Sequence, residues 1–250
     1  MVAARLPRLR VVQTLSAGVD QYRNALPPSV RLYNAAGVHV AATAEWAVAA
    51  ILTCQRELLR FEVQRQRRVW SPRVSRGVFG TNVLIIGAGE IGTAVGQRLA
   101  PFGANVTYVA RRARAGVVSV DKIHDLLPEA DIVVLVIPLT PETHQLVDRD
   151  FLAAMKDGAL LVSAARGGVV DTSSLVRELA NGRLRAALDV VDPEPPPVSS
   201  EIWSVQGLLL TPHIASSVPG MLDRQAALLA KRLPALVRGE PIGGARDHGC

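Results

Sequence analysis

VLIIGAGEIG, Val83–Gly92, decides the fold of this chain. Four apolar residues run directly into Gly87-Ala88-Gly89-Glu90-Ile91-Gly92, a G-x-G-x-x-G spacing. The run reads as a buried parallel strand, and Thr93–Leu99 after it reads as a helix. Each glycine has a job in that setting: Gly87 permits the tight turn, Gly89 lets the main chain approach a pyrophosphate, and Gly92 lets the helix close on the strand. The helix N-terminus then offers free N–H groups and a partial positive charge to the phosphates. Alone, the spacing could be no more than a glycine-rich turn. A strand before it, a helix after it and a second strand at Asn105–Val109 favour dinucleotide binding.

Outward from this stretch, strands and helices alternate. Downstream, Ile123–Leu127 reads as a short helix and Ile132–Ile137 as a fully apolar strand. Leu160–Ser163, Ala186–Val191 and Leu208–Leu210 are further strands, with an amphipathic helix at Ser173–Ala180 between the first two. Continuous apolar strands alternating with helices predict an α/β fold, a doubly wound parallel sheet covered on both faces. A last helix, Met221–Val237, precedes a polar, glycine-rich tail expected to be loose. Upstream, Leu9–Leu15 and Val30–Tyr33 read as strands, and Ser16–Asp20 as a loop. From Thr43 to Arg68 there is no Gly or Pro, which predicts one long helix with Thr43 as its N-cap.

At 250 residues and 49% hydrophobic, the chain can bury a real core. A net charge of +6 favours anionic ligands. Much of the basicity lies in Arg56–Arg76, but no zinc spacing or RNA-binding signature accompanies it, so a solvated helix end is expected rather than nucleic-acid binding. The two cysteines, Cys54 and Cys250, have no metal-ligand spacing; Cys54 sits in an apolar stretch and is expected to be a buried thiol, as in a reducing compartment. Met1–Arg10 has three arginines with no apolar core after them, which does not fit a signal peptide. The uncharged part of Ile202–Leu222 is broken by Gly207, Pro212, Pro219 and Gly220, which argues against a membrane span. The expectation is a soluble cytoplasmic protein.

Two kinds of polar residue stand where a plain sheet would not need them. The acidic residue that holds an NAD ribose belongs about 20 residues beyond the glycines, where this chain has Ala110-Arg111-Arg112. Two guanidiniums suit a 2′-phosphate, so NADP(H) is favoured over NAD(H), although an arginine pair on a loop can also be merely solvated. Secondly, three strand ends carry charge: Arg166 after Leu160–Ser163, Glu194 beyond Ala186–Val191, and His213 after Leu208–Leu210. Such ends line the crevice where doubly wound sheets bind ligands. Arg, Glu and His delivered together suit acid–base work on an anionic substrate.

At these residues the chain resembles the D-isomer-specific 2-hydroxyacid dehydrogenases. The likeness rests on GAGEIG at Gly87–Gly92, PLTPET at Pro138–Thr143, ARGGVVD at Ala165–Asp171, AALDVVDPEP at Ala186–Pro195 and TPHIAS at Thr211–Ser216. It implies a Rossmann domain and an NAD(P)-dependent oxidoreductase acting on a small D-2-hydroxy acid or 2-keto acid. By the same resemblance Arg166 binds the substrate, His213 is the acid–base and Glu194 pairs with His213. Glu90 and Ile91 meet the pyrophosphate, and Pro138 and Thr143 fall in a cofactor-binding motif. Ala164, Asp189, Ala215 and Ser216 line the nicotinamide, and the N–H groups of Ala17 and Gly18 take the substrate carboxylate. The helix from Thr43 is expected at a homodimer interface, on the reasoning that its apolar side has no room within its own domain.

The chain departs from the family's pattern in three ways. Ala110-Arg111-Arg112 replaces the acidic NAD signature, Ser163 stands where an asparagine is common, and Leu9 already resembles a late strand of the substrate domain. The expected organisation is therefore residues 1–70 as a truncated flavodoxin-like substrate domain with the long helix. Residues 71–211 form the dinucleotide-binding domain, and 212–250 return to the substrate side. The alternative is a catalytically impaired dinucleotide-binding scaffold or interaction protein.

Overall fold

A computed structural model describes residues 6–23, 25–240, 242 and 245–246. Its larger sheet has seven parallel strands, and the stretch quoted above lies on the third, an interior strand next to the central one. β3 (Asn82–Ile86) is flanked on one side by β4 (Asn105–Ala110) and β5 (Val117–Ser119). On the other side lie β6 (Ile132–Leu135), β7 (Leu160–Ser163), β8 (Arg185–Leu188) and β9 (Leu208–Leu210). The chain thus starts in the middle, winds outward, then crosses back past β3 to β6. That reversal opens a crevice at the carboxyl ends of β3 and β6, where such sheets bind ligands.

Alternation along the strands explains why both faces are covered. Leu84, Ile86, Val133, Leu135, Leu161 and Leu188 point to one face, packed with residues of α5 (Ile123–Leu126), α6 (Arg149–Ala154) and α7 (Thr172–Ala180). Val83, Ile85, Ile132, Val134, Leu160 and Val162 point to the other. There they meet α4 (Glu90–Leu99) and α2 (Val40–Gln55) through Val95, Leu99, Ala44, Ala47, Val48 and Ile51. The apolar side of α2, the first part of the expected long helix, is therefore covered within the chain.

That helix is also two helices. α2 ends at Gln55, Glu57 takes a left-handed backbone at φ 51°, and α3 (Leu58–Gln66) leaves in a new direction. Neither Gly nor Pro marks the break; the Glu57 carboxylate instead pairs with Arg60 and Arg73, each at 3.5 Å. Thr43 is not the N-cap. The helix already begins at Val40, past the turn at Gly37 (φ 89°), and Thr43 is buried with its N–H bonded to the His39 carbonyl at 3.0 Å.

The smaller sheet joins β1 (Val11–Gln13), β2 (Arg31–Tyr33) and β10 (Ala245–Arg246), with β1 parallel and β10 antiparallel to β2. Residues 245–246 of the tail expected to be loose are thus a strand. Cys250 and residues 1–5 lie outside the described residues. Between β1 and β2 runs the short α1 (Asp20–Arg23), and α8 (Met221–Val237) follows the last strand of the large sheet. α8 reaches the small sheet through Arg232, which donates to Gln13 and to the Asn34 carbonyl. β5 and α6 carry too little periodicity to be seen in the sequence, and β8 stops at Leu188 rather than Val191. Cys54 is half-buried, and burial pushes its thiol up to about 11. Among the described residues no helix is long and apolar enough to cross a membrane, and no cluster of His, Cys, Asp or Glu could hold a metal ion.

Candidate active site

The glycine turn is built as its spacing requires. Gly87 has φ 116°, and a Cβ there would lie 2.6 Å from the Val136 carbonyl. A Cβ on Gly92 would lie 1.9 Å from the Gly87 carbonyl oxygen, so α4 can close on the turn only with glycine there. Gly89 faces open space, with no atom within 4 Å of a built Cβ. It is the N-cap of α4, which starts at Glu90 rather than Thr93, and the open space lies where a pyrophosphate would approach free N–H groups.

Three connected hollows follow the carboxyl edge of the sheet. One, of about 680 Å³, is lined by Gly87, Ala110, Arg111, Pro138 and Thr143. The Thr143 hydroxyl donates to the Pro138 carbonyl at 2.7 Å and holds this wall. The next, of about 310 Å³, runs between the two sheets past Gly18, Asp20, Gly89, Glu90 and Ile91. The third, of about 400 Å³, brings together Ala17, Ala164, Arg166, Asp189, His213, Ala215 and Ser216. Arg111 is thus delivered to the cleft, while Arg112 is exposed and lines none of the three. Arg114, which the ribose spacing did not single out, donates to the Ala88 carbonyl at 2.7 Å, back onto the glycine turn.

His213 and Glu194 meet as the motifs implied: Nδ1 lies 2.7 Å from Oε1, with the side chains 46% and 43% exposed. A carboxylate on Nδ1 orients the ring and leaves Nε2 free to exchange a proton. His213 itself has φ 53°, a left-handed backbone that non-glycine residues rarely adopt. The loop that enforces it hangs on Asp189. Its buried carboxylate accepts from the Thr211 hydroxyl at 2.6 Å, from Ile214 N–H at 2.8 Å and from Ala215 N–H at 2.8 Å. The Asp189 carbonyl takes the N–H of His213, also at 2.8 Å. Asp189 therefore builds the loop that carries His213 as well as lining the cavity.

Arg166 Nε lies 3.1 Å from Asp20, and Nη1 donates to the Ala165 carbonyl at 2.7 Å. Its guanidinium fills the space beside Gly18, where a built Cβ would be 1.5 Å from Nη2. The loop carrying Gly18 is pinned through its carbonyls. Leu15 O accepts from His39, Ser16 O from the Thr14 hydroxyl, Ala17 O from Asn34 and Gly18 O from the Ser16 hydroxyl. With every carbonyl held by the protein, the N–H groups of Ala17 and Gly18 are the groups left for an anion; among the described residues they have no acceptor. Asp20 ends the loop read from the sequence at Ser16–Asp20, whereas Asn34 and His39 carry no motif of their own and only their positions around this loop reveal them.

This fold and cleft define a dinucleotide-binding α/β protein with Arg166, Glu194 and His213 gathered at the edge of its sheet. A family model, the NAD-binding domain of D-isomer specific 2-hydroxyacid dehydrogenases, matches residues 48–215. The glyoxylate reductase of Pyrococcus horikoshii is 36% identical, over 94% of this chain and 75% of its own length. The D-3-phosphoglycerate dehydrogenase of Mycobacterium tuberculosis is 33% identical, over 99% of this chain and 49% of its own. Among solved structures, a D-isomer specific 2-hydroxyacid dehydrogenase from Xanthobacter autotrophicus in complex with NADPH and MES superposes with a TM-score of 0.87 at 31% identity, covering 98% of this chain and 80% of that one. The chain belongs to the D-isomer specific 2-hydroxyacid dehydrogenases, a family of NAD(P)-dependent oxidoreductases.

Proposed function

We propose that the protein reduces a small 2-keto acid, or oxidises the corresponding D-2-hydroxy acid, with NADP(H) as the favoured cofactor. The observation that carries this reading is the shared cavity of Arg166 and His213, with Glu194 at 2.7 Å behind the histidine. Gly87, Gly89, Glu90, Ile91 and Gly92 would hold the pyrophosphate, and Arg111 the 2′-phosphate, with Arg112 and Arg114 adding positive charge nearby. When bound, the nicotinamide supplies the hydride. The chain's residues do the rest. Arg166 and the N–H groups of Ala17 and Gly18 grip the carboxylate and aim the carbonyl carbon. His213 Nε2 gives a proton to the carbonyl oxygen and takes it back in the reverse direction. Arg166 and an imidazolium at His213 offset the negative charge that develops on that oxygen. Ala164, Ala215 and Ser216 wall the space, and Pro138 and Thr143 shape the other end.

Residues 71–211 would then serve as the dinucleotide-binding unit, framed by 1–70 and 212–250. A homodimer fits the exposed apolar side chains at and beyond α3: Leu58, Leu59, Trp70, Val74 and Phe79, with Trp70 96% exposed. Sedimentation should find two copies per particle.

The reading is tested by calorimetric titration with NADPH and NADH, followed by a screen of 2-keto acids for cofactor oxidation. Tighter binding of NADPH and turnover of at least one 2-keto acid are expected. Binding without turnover across the screen would overturn the enzyme reading and leave a nucleotide-binding scaffold. Arg111→Asp should shift preference toward NADH by about tenfold, roughly one charged contact. An unchanged preference would mean that Arg111 only faces solvent.

A further inference from the structure

Helix α2 touches both working loops of the site. At its start, His39 Nε2 lies 2.9 Å from the Leu15 carbonyl. A carbonyl can only accept, so Nε2 carries the proton. Seven residues on, two turns and about 10 Å along the axis, Trp46 Nε1 donates to the Thr211 hydroxyl at 3.1 Å. That hydroxyl spends its own proton on Asp189 at 2.6 Å, and the same carboxylate holds the N–H groups of Ile214 and Ala215. A chain of three directional bonds thus runs from the indole to the loop that presents His213. An indole nitrogen has a donor and no acceptor, and the hydroxyl oxygen has a lone pair to receive it, so donor order is fixed from end to end. Between and just beyond these two contacts, Ala42, Ala44 and Ala47 are buried, and the helix seats on the sheet through Ala44 and Ala47. Its position along the sheet is therefore set by close packing rather than by either loop.

We propose that His39 and Trp46 are positioning residues, and that α2 sets the distance between the loop that takes the carboxylate and the loop that carries the proton. This rests on the function proposed above. His39 acts on substrate binding, and Trp46 acts on proton transfer through Thr211 and Asp189. Neither residue touches the reacting atoms. Small displacements of a reacting group cost large factors in rate, so losing one link should be visible without unfolding the protein.

The experiment uses the full chain and its Trp46→Phe, Thr211→Val, Thr211→Ser and His39→Leu variants. Trp46→Phe and Thr211→Val should each lower kcat about tenfold, with KM for the 2-keto acid and affinity for NADPH within about twofold of the parent. Thr211→Ser, which keeps the hydroxyl, should restore kcat. His39→Leu should raise KM about fivefold with little change in kcat, because Gln225 still holds Leu15 O at 3.1 Å. Amide hydrogen exchange supplies a readout that needs no turnover: Ile214 and Ala215 should exchange at least fivefold faster in Trp46→Phe. Unchanged kcat and unchanged exchange would overturn the proposal. So would parallel losses of kcat, substrate affinity, NADPH affinity and thermal midpoint, since Trp46 would then be a packing residue alone. If the parent protein turns over no 2-keto acid, the functional reading fails, and the exchange rates still decide whether the chain of bonds holds the loop.

Discussion

The two sides of the cleft are held in place by different physics. On the nucleotide side, the turn is fixed at Gly87 and Gly92 by main-chain atoms that leave no room for a Cβ, above strands buried on both faces. On the side of the small sheet, three described strands contribute little core, and the loop at Leu15–Gly18 is held by side-chain donors on its carbonyls. Close-packed backbone cannot yield without unfolding its surroundings, whereas a hydrogen-bonded loop can lose one pin and keep its path. Damage on the first side should therefore appear as lost stability and nucleotide affinity. Damage on the second should appear as lost turnover in a folded protein.

The most severe test of that contrast is His213→Asn, chosen because asparagine tolerates the left-handed backbone at φ 53°. Turnover should fall about a thousandfold while calorimetry finds NADPH affinity within about twofold. An equal loss of both would erase the distinction between the sides. Next comes Gly92→Ala, whose Cβ would sit 1.9 Å from a main-chain oxygen. Denaturant titration should show a loss of about 2 kcal/mol or more, together with weaker dinucleotide binding. A stable Gly92→Ala that still binds NADPH would mean that the turn is looser than drawn.

Gly18→Ala makes the matching change opposite. Its Cβ would meet the tip of the Arg166 side chain at 1.5 Å, and that flexible tip can swing away. We expect an unchanged thermal midpoint and KM for the 2-keto acid about tenfold higher. A fall in midpoint would show that this loop, too, is held by packing.

The smallest effect belongs to the fold alone. Hydrogen bonds from Ser174 and Ser173 hold the Asp171 carboxyl below the usual carboxylate range at the N-cap of α7. Because the folded-state value is depressed, the contribution is present above the unfolded-state pKa of about 3.9. It is lost as pH falls through the lower folded-state value. Asp171→Ala should cost about 1 kcal/mol at neutral pH, and the difference from the parent should vanish in acid. A difference that persists there would point to lost packing instead.

The contrast between the sides also explains what could be read from the sequence. The large sheet was legible because buried parallel strands are continuous apolar runs, such as those at β3, β6 and β7, and because glycine spacing records main-chain geometry directly. Arg166, Glu194 and His213 were legible as charges at strand ends. The break at Glu57 was not, since ion pairs to Arg60 and Arg73 leave no local signature. The roles of Asp20, Asn34, His39 and Trp46 were hidden for another reason: each acts through a partner distant in sequence, as with Trp46 and Thr211 or Asp20 and Arg166.

Asp189 gives this arrangement an evolutionary slant. Its single side chain gathers the Thr211 hydroxyl and two N–H groups, and all of them serve the loop around His213. None of the turn at Gly87–Gly92 hangs on it. A single codon change at this position would therefore unpin the loop around His213 while leaving the contacts of the glycine turn in place. On the function proposed above, a duplicated gene altered at Asp189 would lose turnover before it lost its glycine turn.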